Sequence, residues 1–347
     1  MSGYKRGVID PTLFRRVNGN HLMLVQIYVD DIIFSSTKQG MVNNFAKLMT
    51  SKFQMSMNRD INFFLGLQVK QVPQGIFIRL EKHTSKLLKK YSINNCSLDK
   101  VPMAFGYKIS VDPTGEPADH KTYRGMIGSL MYLTTNRPVI VFATGLCARH
   151  QVDPKVSHLT AVNQILRYLK GNKALGFWYP TGKDFSLQAF TDADHVRCRF
   201  DRKGTSGGCQ FLGGRLVICS SRKQNGVSLS TTEAKYVAAT SCCSQVLWMK
   251  TQLMDYGYRM LRVPIYCDLE SAIAIYHNPF HHSKTKHIEL RYHFIKDDIL
   301  KCNIELIFVP THKEIVDVFT KALDATKLNN FLEFLGMMNP DLRFFLN

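Results

Sequence analysis

Acidic residues that end apolar segments are the part of this sequence best suited to chemistry. Asp192 lies near the end of the strand-like run LQAFTDAD, and Glu233, Asp268 and Asp317 each stand at the edge of a later apolar helix or strand. Four acids that converged would repel one another unless a cation held them. Because carboxylate oxygens bind hard cations, the set predicts a divalent-metal site. Asp194, two residues beyond Asp192, is a rival for the first position.

A second pair of acids, Asp30 and Asp31, lies between the β-rich apolar runs Leu22–Val29 and Ile32–Phe34. Two strands that meet at adjacent carboxylates predict a hairpin whose tip can hold metal ions, as a polymerase requires. Taken alone, the Asp-Asp pair favours an ordinary turn. The YVDD tetrapeptide within apolar strands is more specific, because it resembles the catalytic hairpin of reverse transcriptases.

The elements around the first four acids have the order strand–strand–strand–helix–strand–helix–strand–helix. They are the run that contains Asp192, the strands Gly207–Leu212 and Arg215–Ser220, a helix from Ser230 to about Tyr256, the strand Pro264–Cys267, a helical turn Ser271–His277, the strand Ile304–Val309 and a helix that contains Asp317. Each acid also has a structural explanation. Glu233 completes a Ser-x-x-Glu capping box, Asp268 suits a helix N-cap, and Asp317 with Lys321 suits a surface ion pair. The signal therefore comes from the joint pattern.

Earlier elements form a second group. A helix is predicted at Met41–Phe53, paired strands at Ile61–Leu67 and Gly75–Leu80, and a basic helix at His83–Tyr91. The stretch Asn94–Pro117 is rich in turn residues and predicts a boundary.

Composition limits the classes of function. The chain has 347 residues, 45% of them hydrophobic, and a net charge of +18, which favours a partner with a phosphate backbone. Nine cysteines without a CxxC pair indicate reduced thiols, neither a disulfide framework nor a zinc module. The sequence contains no signal-peptide core and no apolar run of roughly 20 residues, so we expect an intracellular, cytoplasmic protein without a membrane partner.

Four motifs around the acids resemble copia-type ribonuclease H. These are TDADHVRCRFDRKGTSGGCQFLGG, SSRKQNGVSLSTTEAKYVA, IYCDLESAI and FVPTHKEIVDVFTKAL. Upstream, NFFLGLQV looks like the family's primer-gripping element, and IGSLMYLT, ARHQ and ILRYLKG look like its thumb and connection. The resemblance to copia-type LTR retrotransposon Pol polyproteins runs from about Leu22 to Leu335.

The resemblance implies an α+β and α/β multidomain chain. Its parts would be a partial reverse transcriptase palm (1–93), a helical thumb or connection (94–182), a ribonuclease H-like mixed five-stranded sheet with helices (183–325) and a C-terminal tail (326–347). It implies two Mg²⁺ or Mn²⁺ ions held by Asp192, Glu233, Asp268 and Asp317, and cleavage of RNA in RNA–DNA hybrids. Expected partners are RNA, DNA and the rest of a Pol polyprotein, with a virus-like particle as the location in an active element.

Contacts to the nucleic-acid backbone require cations and hydroxyls beside the predicted metals. Candidates of these types are Arg202, Lys203, Ser206, Ser221, Lys223, Gln224, His287 and Arg291. The His-rich run that contains His287 has no Cys partner at ligand spacing, which disfavours zinc.

Some residues depart from the family pattern. The upstream Asp that completes a polymerase site has no counterpart before the YVDD hairpin, so we expect an incomplete polymerase with Asp30 and Asp31 as its remnant. His195, Val196 and Arg197 replace the usual Trp-Ala-Gly, and Val139 replaces an Asp. The alternatives to a hybrid-cleaving enzyme are a non-catalytic, basic nucleic-acid-binding relic of a degenerate element and an interaction protein on a repurposed fold.

Overall fold

The structure is a computed structural model, and it describes residues 3–57, 60–107, 109–182, 184–195, 202–268, 289–310 and 315–340. The chain divides into two compact units. The first comprises residues 1–60 and 244–261, and the second comprises residues 61–243 and 262–347.

The strands that the structure describes are β1 (Lys5–Arg6), β2 (Leu13–Asn18), β3 (His21–Tyr28), β4 (Asp31–Ser36), β5 (Phe63–Phe64), β6 (Leu67–Val72), β7 (Gly75–Arg79), β8 (Gly176–Pro180), β9 (Leu187–Asp194), β10 (Thr205–Leu212), β11 (Arg215–Lys223), β12 (Val263–Cys267), β13 (Ile304–Phe308) and β14 (Met337–Met338). The α-helices are α1 (Gln39–Lys52), α2 (Glu81–Lys90), α3 (His120–Leu133), α4 (Val141–Ala148), α5 (Val156–Gly171), α6 (Thr231–Tyr256), α7 (Glu289–Leu300), α8 (Asp317–Thr320) and α9 (Ala325–Phe334). The predicted helical turn Ser271–His277 and the capping box Thr311–Glu314 lie outside the described residues.

The first unit is built on an antiparallel sheet of order β1-β2-β3-β4. Alternation along β3 turns Met23 and Val25 inward, where they pack with Met41 and Phe45 of α1. The predicted YVDD hairpin is present, since β3 and β4 are joined by a two-residue turn.

A carboxylate anchors the N-terminal loop of this unit. Asp255, near the end of α6, accepts backbone hydrogen bonds from Val8 at 3.0 Å, Ile9 at 2.8 Å and Asp10 at 2.9 Å. Desolvation raises the pKa of Asp255, but the bonds from Asp10, Val8 and Ile9 outweigh it, and the pKa lies below its usual 3.8. The loop is therefore held by an ionised side chain.

The second unit begins with an antiparallel sheet of order β14-β8-β7-β6-β5, packed on helices α2 to α5. The predicted pairing of Ile61–Leu67 with Gly75–Leu80 is wrong, because the partner of β7 is β6. The turn at Pro73-Gln74 connects β6 to β7, and polar residues of β6 hide the strand from an apolar-run criterion.

A mixed sheet of order β11-β10-β9-β12-β13 follows, which confirms the predicted five-stranded ribonuclease H-like sheet. The meander β9–β10–β11 is antiparallel, whereas β12 pairs parallel with both β9 and β13. Ala234 and Ala238 of α6 pack against Ala193 of β9, and these small side chains allow the helix to lie close to the central strand.

Candidate active site

Asp192 is fixed in the central strand of the mixed sheet. It lies in β9 opposite Gly207 of β10, and it is buried, with 7% of its surface exposed. The hydroxyl of Thr320 donates to Asp192 Oδ2 at 3.2 Å, and Lys235 Nζ lies 3.6 Å from Asp192 Oδ1. A buried carboxylate requires such partners, because leaving it unpaired in the interior is costly.

Asp268 reaches the same place from the neighbouring strand. It directly follows β12, which runs parallel to β9, so the carboxyl ends of both strands point to one edge of the sheet. Lys235 Nζ donates a hydrogen bond to Asp268 Oδ1 and also pairs with Asp192. Two acids far apart in sequence therefore share one ammonium group.

Asp317 is the first residue of α8, whereas the sequence predicted it inside a longer helix. Its Oδ1 is 2.6 Å from Lys321 Nζ. Burial raises the pKa of Asp317, Lys321 opposes the rise, and the negative charges of Asp192 and Asp268 add to it, so the pKa stands above 3.8. Such coupling requires the three carboxylates to lie within electrostatic range of one another.

Glu233 lies in the first turn of α6 and caps the start of the helix. Its backbone N–H donates to Ser230 Oγ at 3.1 Å, and its carboxylate Oε2 accepts from the Leu229 N–H at 2.6 Å. The sequence predicted a capping box, and this arrangement is a variant of it, with the preceding residue as the donor to the glutamate. The structure therefore brings Asp192, Asp268 and Asp317 together and holds the Glu233 carboxylate at the helix start.

Lys235 and Thr320 are the site residues that sequence reasoning missed. Desolvation lowers the pKa of Lys235, but the bond to Asp268 and the charge of Asp192 outweigh it, so the pKa is raised. The sequence signal that could have identified Lys235 is a lysine flanked by Ala234 and Tyr236 in the first turns of a long helix. Both flanking residues are buried in the structure. A charged side chain in that setting needs an acidic partner.

The acids suit a hard divalent cation by donor type and by position. Asp192 and Asp268 are largely buried anionic oxygen donors that already converge on one positive charge. Among the described residues, no three His, Cys, Asp or Glu side chains are arranged closely enough to hold a metal ion together. The fit is therefore to the two aspartates, with Asp317 beside them.

The second pair of predicted acids lies in the first unit. Asp30 occupies the turn between β3 and β4, and Asp31 begins β4 opposite Tyr28. Both acids are exposed. Val29 in the same turn has a φ of 52°, which is strained for a β-branched residue. Strained residues of this kind cluster at functional sites, and the catalytic role of the hairpin stays a prediction.

The predicted nucleic-acid contacts differ in how free their side chains are. Gln224 is buried, and its amide donates to Ser206 Oγ at 3.0 Å and to the Ala234 carbonyl at 2.8 Å. Ser228 Oγ donates to the side-chain oxygen Oε1 of Gln224 at 2.9 Å. The Gln224 side-chain amide therefore connects the sheet to α6. Lys203 Nζ donates to the Asn225 carbonyl at 2.6 Å.

The other predicted contacts range from partly buried to exposed. Arg202 and Arg291 are exposed, and Ser221 and Lys223 are partly buried on β11. His287 lies outside the described residues. A role in nucleic-acid contact stays a prediction for all eight residues.

This chain is similar to several known proteins. The reverse transcriptase (RNA-dependent DNA polymerase) family matches residues 2–105. The "Retrovirus-related Pol polyprotein from transposon RE1" of Arabidopsis thaliana is 32% identical over 336 residues, 96% of this chain and 23% of that protein. The corresponding polyprotein from transposon TNT 1-94 of Nicotiana tabacum is 28% identical, over 96% of this chain and 26% of that protein. The foamy viral protease-reverse transcriptase in complex with double-stranded DNA has a TM-score of 0.48 at 12% identity, covering 83% of this chain and 46% of that chain.

The family match and the sheet topology together identify a reverse transcriptase segment joined to a ribonuclease H-like domain. The chain belongs to the Pol polyproteins of copia-type retrotransposons. It spans about a quarter of the length of these relatives, 23% and 26% for the two named above. In the part of the chain that the structure describes, no helix combines the length and apolar character needed to cross a bilayer.

Proposed function

We propose that this chain cleaves the RNA strand of RNA–DNA hybrids, with Mg²⁺ or Mn²⁺ held by Asp192, Asp268, Asp317 and Glu233. The observation that carries the proposal is the convergence of Asp192 and Asp268 on Lys235 Nζ at one edge of the mixed sheet. Buried carboxylates that lie close together destabilise the fold, through repulsion and desolvation, unless a cation neutralises them.

When bound, a pair of divalent ions supplies a water of lowered pKa for attack on the RNA phosphate and stabilises the departing 3′ oxygen. The protein's own task is to position the acids. The central strand and the Thr320 hydroxyl orient Asp192, and the end of β12 orients Asp268. Lys321 offsets the repulsion that Asp317 experiences beside them.

Glu233 is the fourth proposed ligand. Its Oε2 accepts from the Leu229 N–H, so it would hold an ion through Oε1 or after giving up that bond. A carboxylate at a helix start can cap the helix and still offer its second oxygen to an ion, so the two roles are compatible.

Nucleic acid is the proposed partner. The net charge of +18 favours binding to a phosphate backbone, and the exposed guanidinium of Arg202 follows the strand that carries Asp192 in the chain. The width of an A-form hybrid is read through phosphates and 2′-hydroxyls, which suits Lys203, Ser206, Ser221 and Lys223. The rest of a Pol polyprotein remains a further proposed partner.

The test is cleavage of an end-labelled RNA–DNA hybrid by the full chain with Mg²⁺. Asp192→Asn should lower the rate at least about 100-fold, because it removes a charged ligand without changing the shape of the side chain. Asp194→Asn tests whether Asp194, and not Asp192, is the ligand in LQAFTDAD, and it should retain most of the cleavage rate. Asp153→Asn, at a side chain with 68% exposure, is the matched control for the loss of one charge. Equal rates for wild type and Asp192→Asn would refute the assignment.

The alternative is a non-catalytic nucleic-acid-binding protein, and one observation favours it. An ammonium group already neutralises Asp192 and Asp268, so the acids have a structural counter-ion. Under this alternative, wild type and Asp192→Asn would bind the hybrid with equal affinity and neither would cleave it.

A further inference from the structure

Lys235 is the one lysine seen to contact two of the proposed ligands within the described residues. Its side chain is 18% exposed, and the side chains of Asp192 and Asp268 are 8% and 7% exposed. Nζ lies 3.6 Å from Asp192 Oδ1 and donates a hydrogen bond to Asp268 Oδ1. Attraction between charges is stronger at such partly buried positions than in water, so the ammonium is held firmly.

The backbone of α6 favours this placement of Lys235. Ala234 and Ala238 pack against Ala193, which keeps the first turns of the helix close to β9. Lys235 follows Ala234 directly, so its flexible stem needs to span only a short gap to reach the acids. The contact is therefore supported by the packing of apolar neighbours as well as by charge.

A divalent ion and the ammonium group require the same carboxylate oxygens. An ion bound by Asp192 and Asp268 would be repelled by Lys235 at short range and would have to displace its hydrogen bond to Asp268. We propose that Lys235 is a built-in counter-cation that competes with divalent metal for Asp192 and Asp268 and so weakens metal binding at this site. The inference rests on the proposed function, because it concerns the same acids, and it names the residue that sets their affinity for metal.

Lys321 provides a comparison within the same site. It pairs with Asp317 alone, from four residues along the chain, and its side chain is 27% exposed. A partly exposed lysine that pairs with a single carboxylate can turn toward solvent when a metal approaches. Lys235 is a residue of α6 and pairs with two acids, so it has a larger effect on metal affinity than Lys321.

The experiment titrates Mn²⁺ into the full chain by isothermal titration calorimetry. We expect Lys235→Met to bind Mn²⁺ at least tenfold more tightly than wild type, and Lys321→Met to differ by less than threefold. Lys235→Arg keeps the charge and should bind as weakly as wild type. Lys47→Met, on the exposed side of α1, controls for the change in net charge and should match wild type.

A second measurement separates metal competition from a purely structural role. Without metal, Lys235→Met leaves two buried acids facing each other, so its thermal midpoint should fall. Added Mn²⁺ should raise that midpoint more in Lys235→Met than in wild type. If Lys235→Met fails to fold, Lys235→Gln keeps a donor for Asp268 without the charge and replaces it in both assays.

An Mn²⁺ affinity of Lys235→Met, or of its replacement Lys235→Gln, within twofold of wild type would overturn the inference, as would the absence of Mn²⁺ binding in wild type and in these variants alike. The two proposals fail separately. Hybrid cleavage by wild type with unchanged Mn²⁺ affinity in these variants would leave the function and remove the inference. Tighter Mn²⁺ binding in Lys235→Met, or in Lys235→Gln in its place, with no cleavage by wild type or any variant would leave the inference and remove the proposed function.

Discussion

The approach of α8 to the mixed sheet depends on Gly207. A Cβ atom added at Gly207 would lie 2.7 Å from Thr320 Cγ2, 2.7 Å from Val316 Cγ1 and 3.1 Å from Phe319 Cβ. These three neighbours are fully buried, so they could make room only by displacing the atoms packed around them. Gly207→Ala must therefore push α8 away from β10, and α8 carries both Asp317 and the threonine that binds the strand partner of Gly207.

The expected loss of stability follows from two opposing effects. One extra methyl group in a well-packed core costs about 1–3 kcal/mol. Replacing glycine by alanine within a strand returns about 0.5–1 kcal/mol. The net loss lies between zero and about 2.5 kcal/mol. It corresponds to a fall in the midpoint of up to roughly 10 °C if unfolding of the second unit resembles that of domains of 150–250 residues.

The adjacent residue supplies the control. A Cβ atom at Gly208 would meet Ser220 Oγ at 3.6 Å and the Phe190 carbonyl oxygen at 3.7 Å, which are ordinary contacts. Thermal unfolding by circular dichroism should show a lower midpoint for Gly207→Ala and an unchanged or slightly higher midpoint for Gly208→Ala. Equal midpoints for the two variants would refute the argument that α8 needs a glycine beneath it.

Two further perturbations probe charges away from the proposed metal site. Arg137 is 1% exposed, its Nε and Nη1 have no hydrogen-bond partner among the described residues, and burial lowers its pKa from 12.5 to about 10. Arg137→Met should therefore raise the free energy of unfolding measured in denaturant. Removing the buried charge contributes up to about 3 kcal/mol, and losing the hydrogen bond to the Lys173 carbonyl costs about 1 kcal/mol. A variant less stable than wild type would contradict this. Because the pKa of Asp255 is lowered in the folded state, its ionised carboxylate stabilises the fold above pH 3.8, and this contribution is lost as the pH falls through the folded pKa. The stability deficit of Asp255→Asn should therefore be greater at pH 7 than near pH 3. A deficit independent of pH would refute that contribution.

Local sequence signals were enough to predict the strand that carries Asp192 and the helix that carries Glu233. The apolar run LQAFTDAD corresponds to β9, and the capping signal at Ser230 and the glycine after Tyr256 correspond to the two ends of α6. Gly257 has a φ of 95°, which suits a glycine at a helix C-terminus. The resemblance predicted a mixed five-stranded sheet, and the pairing confirms it.

The errors came from elements with weak local signals. The strand β6 contains Gln68, Lys70 and Gln71, so an apolar-run criterion placed the partner of β7 too early. The helix α8 has four residues, too few for a periodic pattern, and it begins at Asp317. The helix α8 is defined mainly by its packing on the mixed sheet, whereas β6 belongs to a local hairpin whose polar residues conceal it.

The ion pairs of Lys235 with Asp192 and Asp268 matter most for the proposed chemistry, and they were the least predictable contacts of the site. Parallel pairing of β9 with β12 is a property of the topology, and it brings Asp192 and Asp268 to one edge whatever residues surround them. The cation that balances them depends on one side chain, Lys235, whose position two residues after Glu233 carries no periodic signal. Topology can therefore preserve an acidic site while a single lysine changes what that site holds. Metal affinity measured with and without Lys235 is accordingly a sharper probe of this site than the presence of its acids.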